Sequence, residues 1–447
     1  MHQCHQGVPK INFLNKGIVK SQWSPSSIPT SREFDNATAV EIPRRESGAC
    51  CGRGVSNLSF LGVPFWSFAA ICHSQDKSVY NWDMNSPSGP DMVRIDGSFG
   101  EGGGQVLRTS LALSCVLGKP MEITNIRTGR KKPGLQPQHL TAVLAAAAIS
   151  GAEVQGAELS STALRFQPNR TTGGTYRFDV AEKKGSAGSA SLVLQTILLP
   201  LCFADQASLV TVQGGTHVPW SPSFHYLQSI MTPLLLRIGV RAELSIASWG
   251  WYPIGGGQVS ARITPAQALL PLRLTDRGRL LRVSGISAVS NLPGHIASRQ
   301  RDRALAVLGR EGIDASIETL SAPSAGKGSF LSLAAEFEHF SAGFGSLGAI
   351  GKRAEEVADE ACDELLSHLR AQGALDPHLA DQVVPWLAFC RGPSEFTTSR
   401  VTRHLLTNLW VVRQFMDIDV RVEGNEGEEG RILVRPPARP DHVNGGE

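Results

Sequence analysis

HLLTNLWVVRQFMDIDVRV (residues 404–422), with RILVRPP (431–437) shortly after it, has the pattern of a helix, a turn and two strands. Apolar residues recur three and four positions apart in the first part, which predicts an amphipathic helix, and alternate in the later parts, which predicts strands. The same order recurs at HLTAVLAAAAISGAEV (139–154) with ALRFQP (163–168), and at HYLQSIMTPLLLRIGVRAEL (225–244) with QVSARITP (258–265). Since one such unit cannot bury its sheet face alone, the three predict a pseudo-symmetric core.

The segment 271–372 follows none of these units. It holds periodic segments that predict strands at 280–289 and 330–337 and helices at 296–309 and 353–371. A segment of about 100 residues is large enough to fold independently. We therefore predict a mixed α/β protein. Its large domain, 92–270 with 373–436, is interrupted by a small inserted α/β domain, 271–372.

The composition is typical of a compact folded protein and not of a fibre or a disordered chain. Hydrophobic residues make up 41% and charged residues 19% of the 447 positions, so two or three folding units with a sizeable core are expected. The formal net charge of +3 excludes a polycationic nucleic-acid coat. Any contact with nucleic acid must therefore be local.

Residues 1–91 lack sustained periodicity, and we predict an extension that is disordered or not translated, because Met84 and Met92 stand just before the ordered pattern. The apolar run at 58–72 is short for a membrane span, so no membrane partner is expected. Residues 437–447 are a predicted tail. The eight cysteines form no CxxC pair and no metal-ligand spacing, which favours reduced thiols in a cytoplasmic protein.

DGSFGEGGGQVLR (96–108) is a predicted strand end, a glycine-rich turn and the start of a helix. Glycines let a backbone approach a ligand closely, and helix N-terminal amides favour an anion. The segment is neither a complete dinucleotide fingerprint nor a P-loop, and a simple tight connection is the alternative reading. Glu101, Gln105 and Arg108 cluster there, and a carboxylate beside phosphate-binding amides suits a divalent cation held between them.

The next motif, IRTGRKKPGLQPQHL (126–140), crowds Arg127, Arg130 and two lysines into a loop that leads to Gln138 at a helix start. A solvated basic loop is the plain interpretation. Guanidinium groups also suit the several oxygens of a polyphosphate or of an RNA end.

GSAGSASLVLQTILLPL (185–201) predicts a very apolar helix in which Gln195 is the single strongly polar residue. Its amide could hydrogen-bond to the backbone or to a nucleobase edge, and both readings stay open at this point. GGTHVPWSP (214–222) follows soon after.

The last two motifs are DPHLADQVVPWLAF (376–389) and FTTSRVTRHLLTN (396–408). His404 lies at the start of a predicted helix, whose positive end disfavours the imidazolium, so a neutral imidazole is expected to be available as a nucleophile. Most histidines are structural or solvated, and His139 and His225 hold the equivalent place in the other two units.

Five motifs together resemble the RNA 3′-terminal phosphate cyclase family, in the same order and at similar spacing, over residues 93–436. They are GEGGGQVLR (100–108), the basic loop (126–135), SAGSASLVLQT (186–196), HLADQ (378–382) and HLLTN (404–408). The resemblance implies a large domain of three repeats similar to the C-terminal domain of translation initiation factor three. It also implies a smaller inserted thioredoxin-like domain with the element order βαβαββ.

The same resemblance implies an ATP-dependent enzyme in which the residue at His404 becomes linked to AMP. The AMP would pass to an RNA 3′-phosphate, which the neighbouring 2′-hydroxyl then closes into a 2′,3′-cyclic phosphate. The residues implied by the motif match are Glu101 for a divalent metal (Mg or Mn); Gln195, His378, Leu379, Ala380, Asp381 and Gln382 for ATP; and Arg108, Arg127, Arg130 and Gln138 for phosphates. The oligomeric state is left open.

Three other functions compete with this one. A catalytically silent ribosome-assembly factor of the same fold would lack the histidine, so His404 argues against it. An enolpyruvate transferase also stacks α/β units, but it would need neither HLADQ nor HLLTN. Adenylation of DNA ends or RNA 5′ ends is a side activity that the same intermediate could support.

Overall fold

The computed structural model describes residues 92–437, which form a mixed α/β protein and so confirm the predicted fold class. The predicted extension before this range and residues 438–447 of the predicted tail lie outside the described residues. No helix within 92–437 combines the length and the apolar character needed to cross a membrane.

The strands and helices of the described range agree closely with the periodic segments of the sequence. The strands are β1 Val93–Asp96, β2 Met121–Thr124, β3 Glu153–Gln155, β4 Leu164–Gln167, β5 Thr175–Asp179, β6 Ser208–Gly214, β7 Arg241–Ser248, β8 Gly257–Thr264, β9 Arg273–Leu274, β10 Leu280–Ser290, β11 Ala315–Ser321, β12 Gly328–Phe337, β13 Ser341–Leu347, β14 Ser394–Thr398, β15 Asp419–Glu423 and β16 Gly430–Arg435. The helices are α1 Gly104–Leu117, α2 Pro137–Ser150, α3 Ala190–Leu201, α4 Phe224–Tyr226, α5 Thr232–Arg237, α6 His295–Arg310, α7 Ala354–Arg370, α8 Pro377–Leu387 and α9 Arg403–Phe415, with a π-helical turn, Leu227–Met231, joining α4 to α5.

Three of the four-stranded sheets in this range share one strand order. They are β1–β2–β4–β3, β5–β6–β8–β7 and β9–β14–β16–β15. In each, the first two strands are parallel and the remaining pairs are antiparallel. A helix precedes the closing hairpin each time, as the three sequence units predict. The likeness to the C-terminal domain of translation initiation factor three remains a prediction.

The fourth sheet, β11–β10–β12–β13, is built from residues that follow β9 and precede α8. Its element order is βαβββα, so the implied order βαβαββ is wrong. Residues 322–327, between β11 and β12, are too few for a crossing helix and include Pro323 and Gly326. The second helix, α7, therefore follows β13. Strand β9 lies inside the predicted insertion but pairs with β14 of the third sheet.

The helices α1, α2, α3, α8 and α9 pack against one another within one large apolar core. A separate core lies between the fourth sheet and helices α6 and α7. Every residue of α3 except Gln195 is buried, so this helix is fixed on all sides and presents one amide to a partly open position. Because these helices are held by burial, the side chains at their N-terminal ends have fixed positions.

Candidate functional site

The glycine-rich turn between β1 and α1 forms one wall of a cleft. Gly100 and Gly102 have φ angles of 61° and 59°, a left-handed conformation that favours glycine at both positions. Helix α1 begins at Gly104 without a side-chain cap, so its first amides remain available to an anion. The turn therefore has the backbone geometry of an anion site.

His404 lies in the first turn of α9, opposite that wall. Thr402 caps this helix, since its Oγ1 accepts a 3.0 Å hydrogen bond from the amide of Leu405. The His404 side chain is 48% exposed, so one side of the ring is open to a ligand while the other side packs in the cleft. The position agrees with the sequence prediction that the ring remains accessible.

The Nδ1 atom of His404 faces two oxygens of α1 and of the glycine turn. Glu101 Oε2 lies 3.1 Å from Nδ1, and Gln105 Oε1 makes a close hydrogen bond with the same atom. A carboxylate only accepts hydrogen bonds, so Nδ1 must carry the proton. In the neutral ring the lone pair is consequently on Nε2.

The pKa of His404 lies below its ordinary value of 6.5. Partial burial is the main cause, and the positive charges of Arg108 and Arg130 lower the pKa further, while Asp381 opposes them by raising it. His404 is therefore a neutral imidazole at physiological pH, as predicted, although burial and arginines contribute besides the helix end.

Arg108, one turn into α1, is a half-buried guanidinium in the same cleft. Among the described residues it makes no hydrogen bond and no ion pair, and burial lowers its pKa to about 10, so it stays charged at neutral pH. An unpaired guanidinium beside uncapped helix amides suits an anionic ligand. The buried Asp381 influences it through space, and burial raises the pKa of Asp381 to about 7.

A chain of hydrogen bonds joins the helices around His404. Asn408, one turn after His404, donates to the backbone oxygen of Asp381 at 2.7 Å and accepts from Thr109 Oγ1 at 2.7 Å. Gln382 of α8 accepts a 2.5 Å hydrogen bond from Gln195 of α3. These contacts bring the motifs of α1, α3, α8 and α9 together at one place.

The motif match assigns several residues to ligand binding whose side chains contact the protein itself in this structure. Leu379 and Ala380 are buried in the core, with 1% and 0% exposure, so their side chains support α8 instead of lining the cleft. Arg127 donates to the backbone oxygens of Lys132 and Gly134, each at 2.8 Å, and thus holds its own loop. Gln138 accepts a 2.8 Å hydrogen bond from the amide of Ser189.

His378 is exposed, and its ring lies edge-on to Tyr226 with centroids 6.4 Å apart. Tyr226 in turn donates a 2.8 Å hydrogen bond to Asp376, the buried cap of α8. The ring of His378 is therefore available to a ligand at the edge of the cleft.

Glu101, the predicted metal ligand, already has protein partners that leave little of its carboxylate open to a metal ion. Its carboxylate makes a close ion pair with Arg130, whose guanidinium also donates to the Glu101 backbone oxygen at 3.0 Å. No group of three or more potential metal ligands occurs within residues 92–437. A single carboxylate nevertheless fits Mg²⁺, which commonly binds one or two carboxylates and completes its coordination with substrate phosphates and water.

Three polar residues at the site received no role from the sequence, although Gln105 was grouped there with Glu101 and Arg108. Gln105 fixes the His404 ring, Thr407 accepts a 3.3 Å hydrogen bond from the amide of Glu101, and Asn408 links three helices. Asn408 lies four positions after His404, so helical spacing placed it on the face of His404.

Comparisons with known proteins show which proteins this chain resembles. The profile of the RNA 3′-terminal phosphate cyclase family matches residues 99–422. An RNA 3′-terminal phosphate cyclase of Methylococcus capsulatus is 48% identical over 360 residues, which cover 79% of this chain and 98% of the relative. One of Nostoc punctiforme is 43% identical over 341 residues, which cover 76% and 97%.

Among solved structures, the enolpyruvyl transferase NikO from Streptomyces tendae aligns over 78% of this chain and 66% of its own, at 11% identity and a TM-score of 0.20. That similarity is too low to bear on fold or function. The family profile, by contrast, spans the glycine turn, the helices of the cleft and His404. The chain belongs to the RNA 3′-terminal phosphate cyclase family.

Proposed function

We propose that this protein is a ligase that uses ATP to convert an RNA 3′-terminal phosphate into a 2′,3′-cyclic phosphate through a covalent histidine–AMP intermediate. The observation that supports it best is the ring of His404. Its Nδ1 faces Glu101 and Gln105, its pKa is lowered, and its Nε2 is left with a lone pair in a half-open cleft. A silent ribosome-assembly factor would have no use for this arrangement.

In the first step, His404 Nε2 forms a bond to the α-phosphorus of ATP, and the bond to the bridging oxygen breaks to release pyrophosphate. The 3′-phosphate of RNA then attacks the same phosphorus, the N–P bond breaks, and the imidazole recovers its lone pair. Finally the 2′-hydroxyl attacks the activated 3′-phosphorus, loses its proton and expels AMP. The last step selects RNA, because only RNA has a 2′-hydroxyl at an ordinary end.

The phosphates would be held by the unpaired guanidinium of Arg108, by Arg130 and by the first amides of α1. Positive groups in this place stabilise the charge that develops on the phosphate oxygens in the transition state. Glu101 would hold a divalent cation such as Mg²⁺ or Mn²⁺, which would neutralise phosphate charge when bound. Arg130, now paired with Glu101, would then turn to the phosphates.

The adenosine would lie near α3 and α8. Gln195 and Gln382 offer amide groups for the adenine edge, and the exposed ring of His378 offers a stacking surface. Asp381 lies within electrostatic range of His404 and Arg108. Leu379 and Ala380 would act only by fixing α8. Four buried, unpaired cysteines within residues 92–437 accord with a reducing cytoplasm.

Discharge of the adenylate tests the proposed reaction. Protein incubated with ATP labelled at the α-phosphate should form an acid-labile, alkali-stable adduct, as expected of a phosphoramidate. RNA bearing a 3′-phosphate should remove the label and acquire a cyclic phosphate, whereas RNA ending in a 3′-hydroxyl should leave the label in place. Equal discharge by both RNAs would contradict phosphate activation, and a native protein without any adduct would favour the silent relative.

The pH dependence of adenylation should respond to Arg130. In the native protein the lowered pKa of His404 extends the neutral, nucleophilic form of the ring to lower pH than in a free imidazole. Arg130→Met removes a positive charge and frees the Glu101 carboxylate, and both changes raise the pKa of His404. The acid side of the rate profile at saturating ATP should therefore move to higher pH.

The matched control for this prediction is Arg94→Met, which removes an exposed guanidinium from a surface pair with Glu122. Its profile should coincide with that of the native protein. An acid limb of Arg130→Met that stays in place or moves to lower pH would show that Arg130 does not depress the pKa of His404. The midpoint is the relevant measurement, since loss of a phosphate contact can lower the rate at every pH.

A further inference from the structure

Two large aromatic side chains of the second repeat protrude into solvent. Trp220 is 98% exposed and Tyr252 is 70% exposed. Within residues 92–437 neither ring stacks on another aromatic side chain. Tryptophan is usually well buried because its ring is large and apolar, so an indole held in water needs an explanation.

The backbone holds Trp220 in this position at some cost. Its φ angle is 58°, a left-handed conformation that is unusual for a bulky residue and is typically found where function requires it. Pro219 precedes it, and Pro222 follows two positions later. Since each proline restricts the backbone, the loop presents the indole in few conformations.

The loops that carry the two rings meet at one end of the second sheet. The amides of Thr216 and His217 both donate to the backbone oxygen of Gly250, at 3.0 and 3.1 Å, and His217 pairs with Trp251 in an isolated bridge. Trp220 lies three positions after His217, and Tyr252 follows Trp251 directly. Ile254, 59% exposed, adds an apolar side chain to the same loop.

Two exposed lysines belong to segments that contact these loops. Gly326 packs against Ile254, which brings the exposed Lys327 next to it. Gly255 packs against the backbone of Ser186, two positions after the exposed Lys184. Flat rings with cations around them match single-stranded RNA, whose bases stack on aromatic faces while its phosphates attract positive charge.

This surface is connected to the cleft through α3 and α2. Ser221, next to Trp220, hydrogen-bonds through Oγ to Ser189 Oγ at 2.7 Å, and the amide of Ser189 donates to Gln138. Gln195 lies six positions further along α3, or about 9 Å. A strand whose 3′-phosphate is at the cleft would therefore reach Trp220 with nucleotides upstream of its end.

We propose that Trp220, Tyr252, Ile254, Lys184 and Lys327 form a stacking platform that binds the nucleotides upstream of the RNA 3′ end. The ligand class rests on the proposed function, while the platform itself rests on exposure, backbone conformation and charge. Loss of one stacking ring should weaken RNA binding about tenfold and leave the reaction of His404 with ATP unchanged.

Fluorescence anisotropy with a labelled decanucleotide ending in a 3′-phosphate tests the platform. Trp220→Ala should raise the Kd about tenfold, and Trp220→Phe, which keeps a stacking ring, should restore most of the affinity. A trinucleotide 3′-phosphate should be affected much less than the decanucleotide. Histidine adenylation, measured on the same samples, should stay at the native level in each variant. A native level of adenylation would show that the fold of the variant is intact.

Ile350→Ala is the matched control, because Ile350 is a fully exposed apolar residue in the segment between β13 and α7. Its Kd should equal the native value. A Trp220→Ala protein that binds the decanucleotide as the native protein does, or a Trp220→Phe protein as weak as the alanine variant, would overturn the platform. Absence of adenylate in the native protein would instead overturn the proposed function, so the two failures are distinguishable.

Discussion

His404→Ala should form no detectable adenylate, with a loss of at least about a thousandfold in the rate of labelling by ATP. Alanine removes the nucleophilic nitrogen, and the remaining groups can bind ATP but cannot form a bond to its α-phosphorus. The side chain is half exposed at the first turn of α9, so its truncation opens no core cavity. Labelling with ATP carrying the label at the α-phosphate, followed by denaturing electrophoresis, measures the effect.

Two variants sharpen this result. His295→Ala removes an exposed histidine at the start of α6 and should label like the native protein. Gln105→Leu removes an acceptor from Nδ1 but leaves Glu101, so it should slow labelling without abolishing it. Label retained at the native level in His404→Ala would place the nucleophile elsewhere and end the proposed mechanism.

Arg108→Met should lower kcat/KM for adenylation about a hundredfold, which is the usual cost of removing one preorganised charged donor from a transition state. Methionine keeps most of the aliphatic stem of arginine, so the packing of α1 should be little changed. The structure leaves this guanidinium without a hydrogen bond or ion pair among the described residues, so its loss breaks neither and removes only its longer-range interaction with Asp381.

The pH profile separates the two roles that Arg108 could have. Its charge lowers the pKa of His404, so the methionine variant should show an acid limb at higher pH as well as a lower plateau. A plateau close to native, with only the limb displaced, would mean that Arg108 tunes the imidazole and does not hold phosphate. Arg94→Met again serves as the surface control.

Much of this cleft could be predicted from local patterns in the sequence. The glycine turn, the helix start at His404 and the isolated Gln195 were all visible in the sequence, because turns, caps and apolar helices depend on neighbouring residues. The three helix–hairpin units also appear in the structure with matching strand order. The element order βαβαββ of the inserted unit came from the family resemblance and was wrong, whereas the residue pattern had placed its two helices at 296–309 and 353–371, where α6 and α7 lie.

Side-chain direction was the harder problem. In HLADQ, His378 and Gln382 lie four positions apart and share a face, whereas Leu379 and Ala380 turn into the core. A motif match treats all five residues alike, but helical spacing separates them. The hydrogen bond between Gln195 and Gln382 joins residues 187 positions apart. Contacts of this kind depend on how helices pack against one another, and helix packing cannot be predicted from a local sequence pattern.

The pairing of β9 with β14 bears on how the protein is made. Leu272, at the edge of β9, and Ser394, which starts β14, are joined by a hydrogen bond across 122 positions. At ribosomal speeds of about 5–20 residues per second, β9 waits on the order of ten seconds for its partner. His404 is synthesised later still. Under the proposed mechanism, a nascent chain could not react with ATP until His404 has left the ribosome, and early folding of the intervening domain would shorten the search between the two strands.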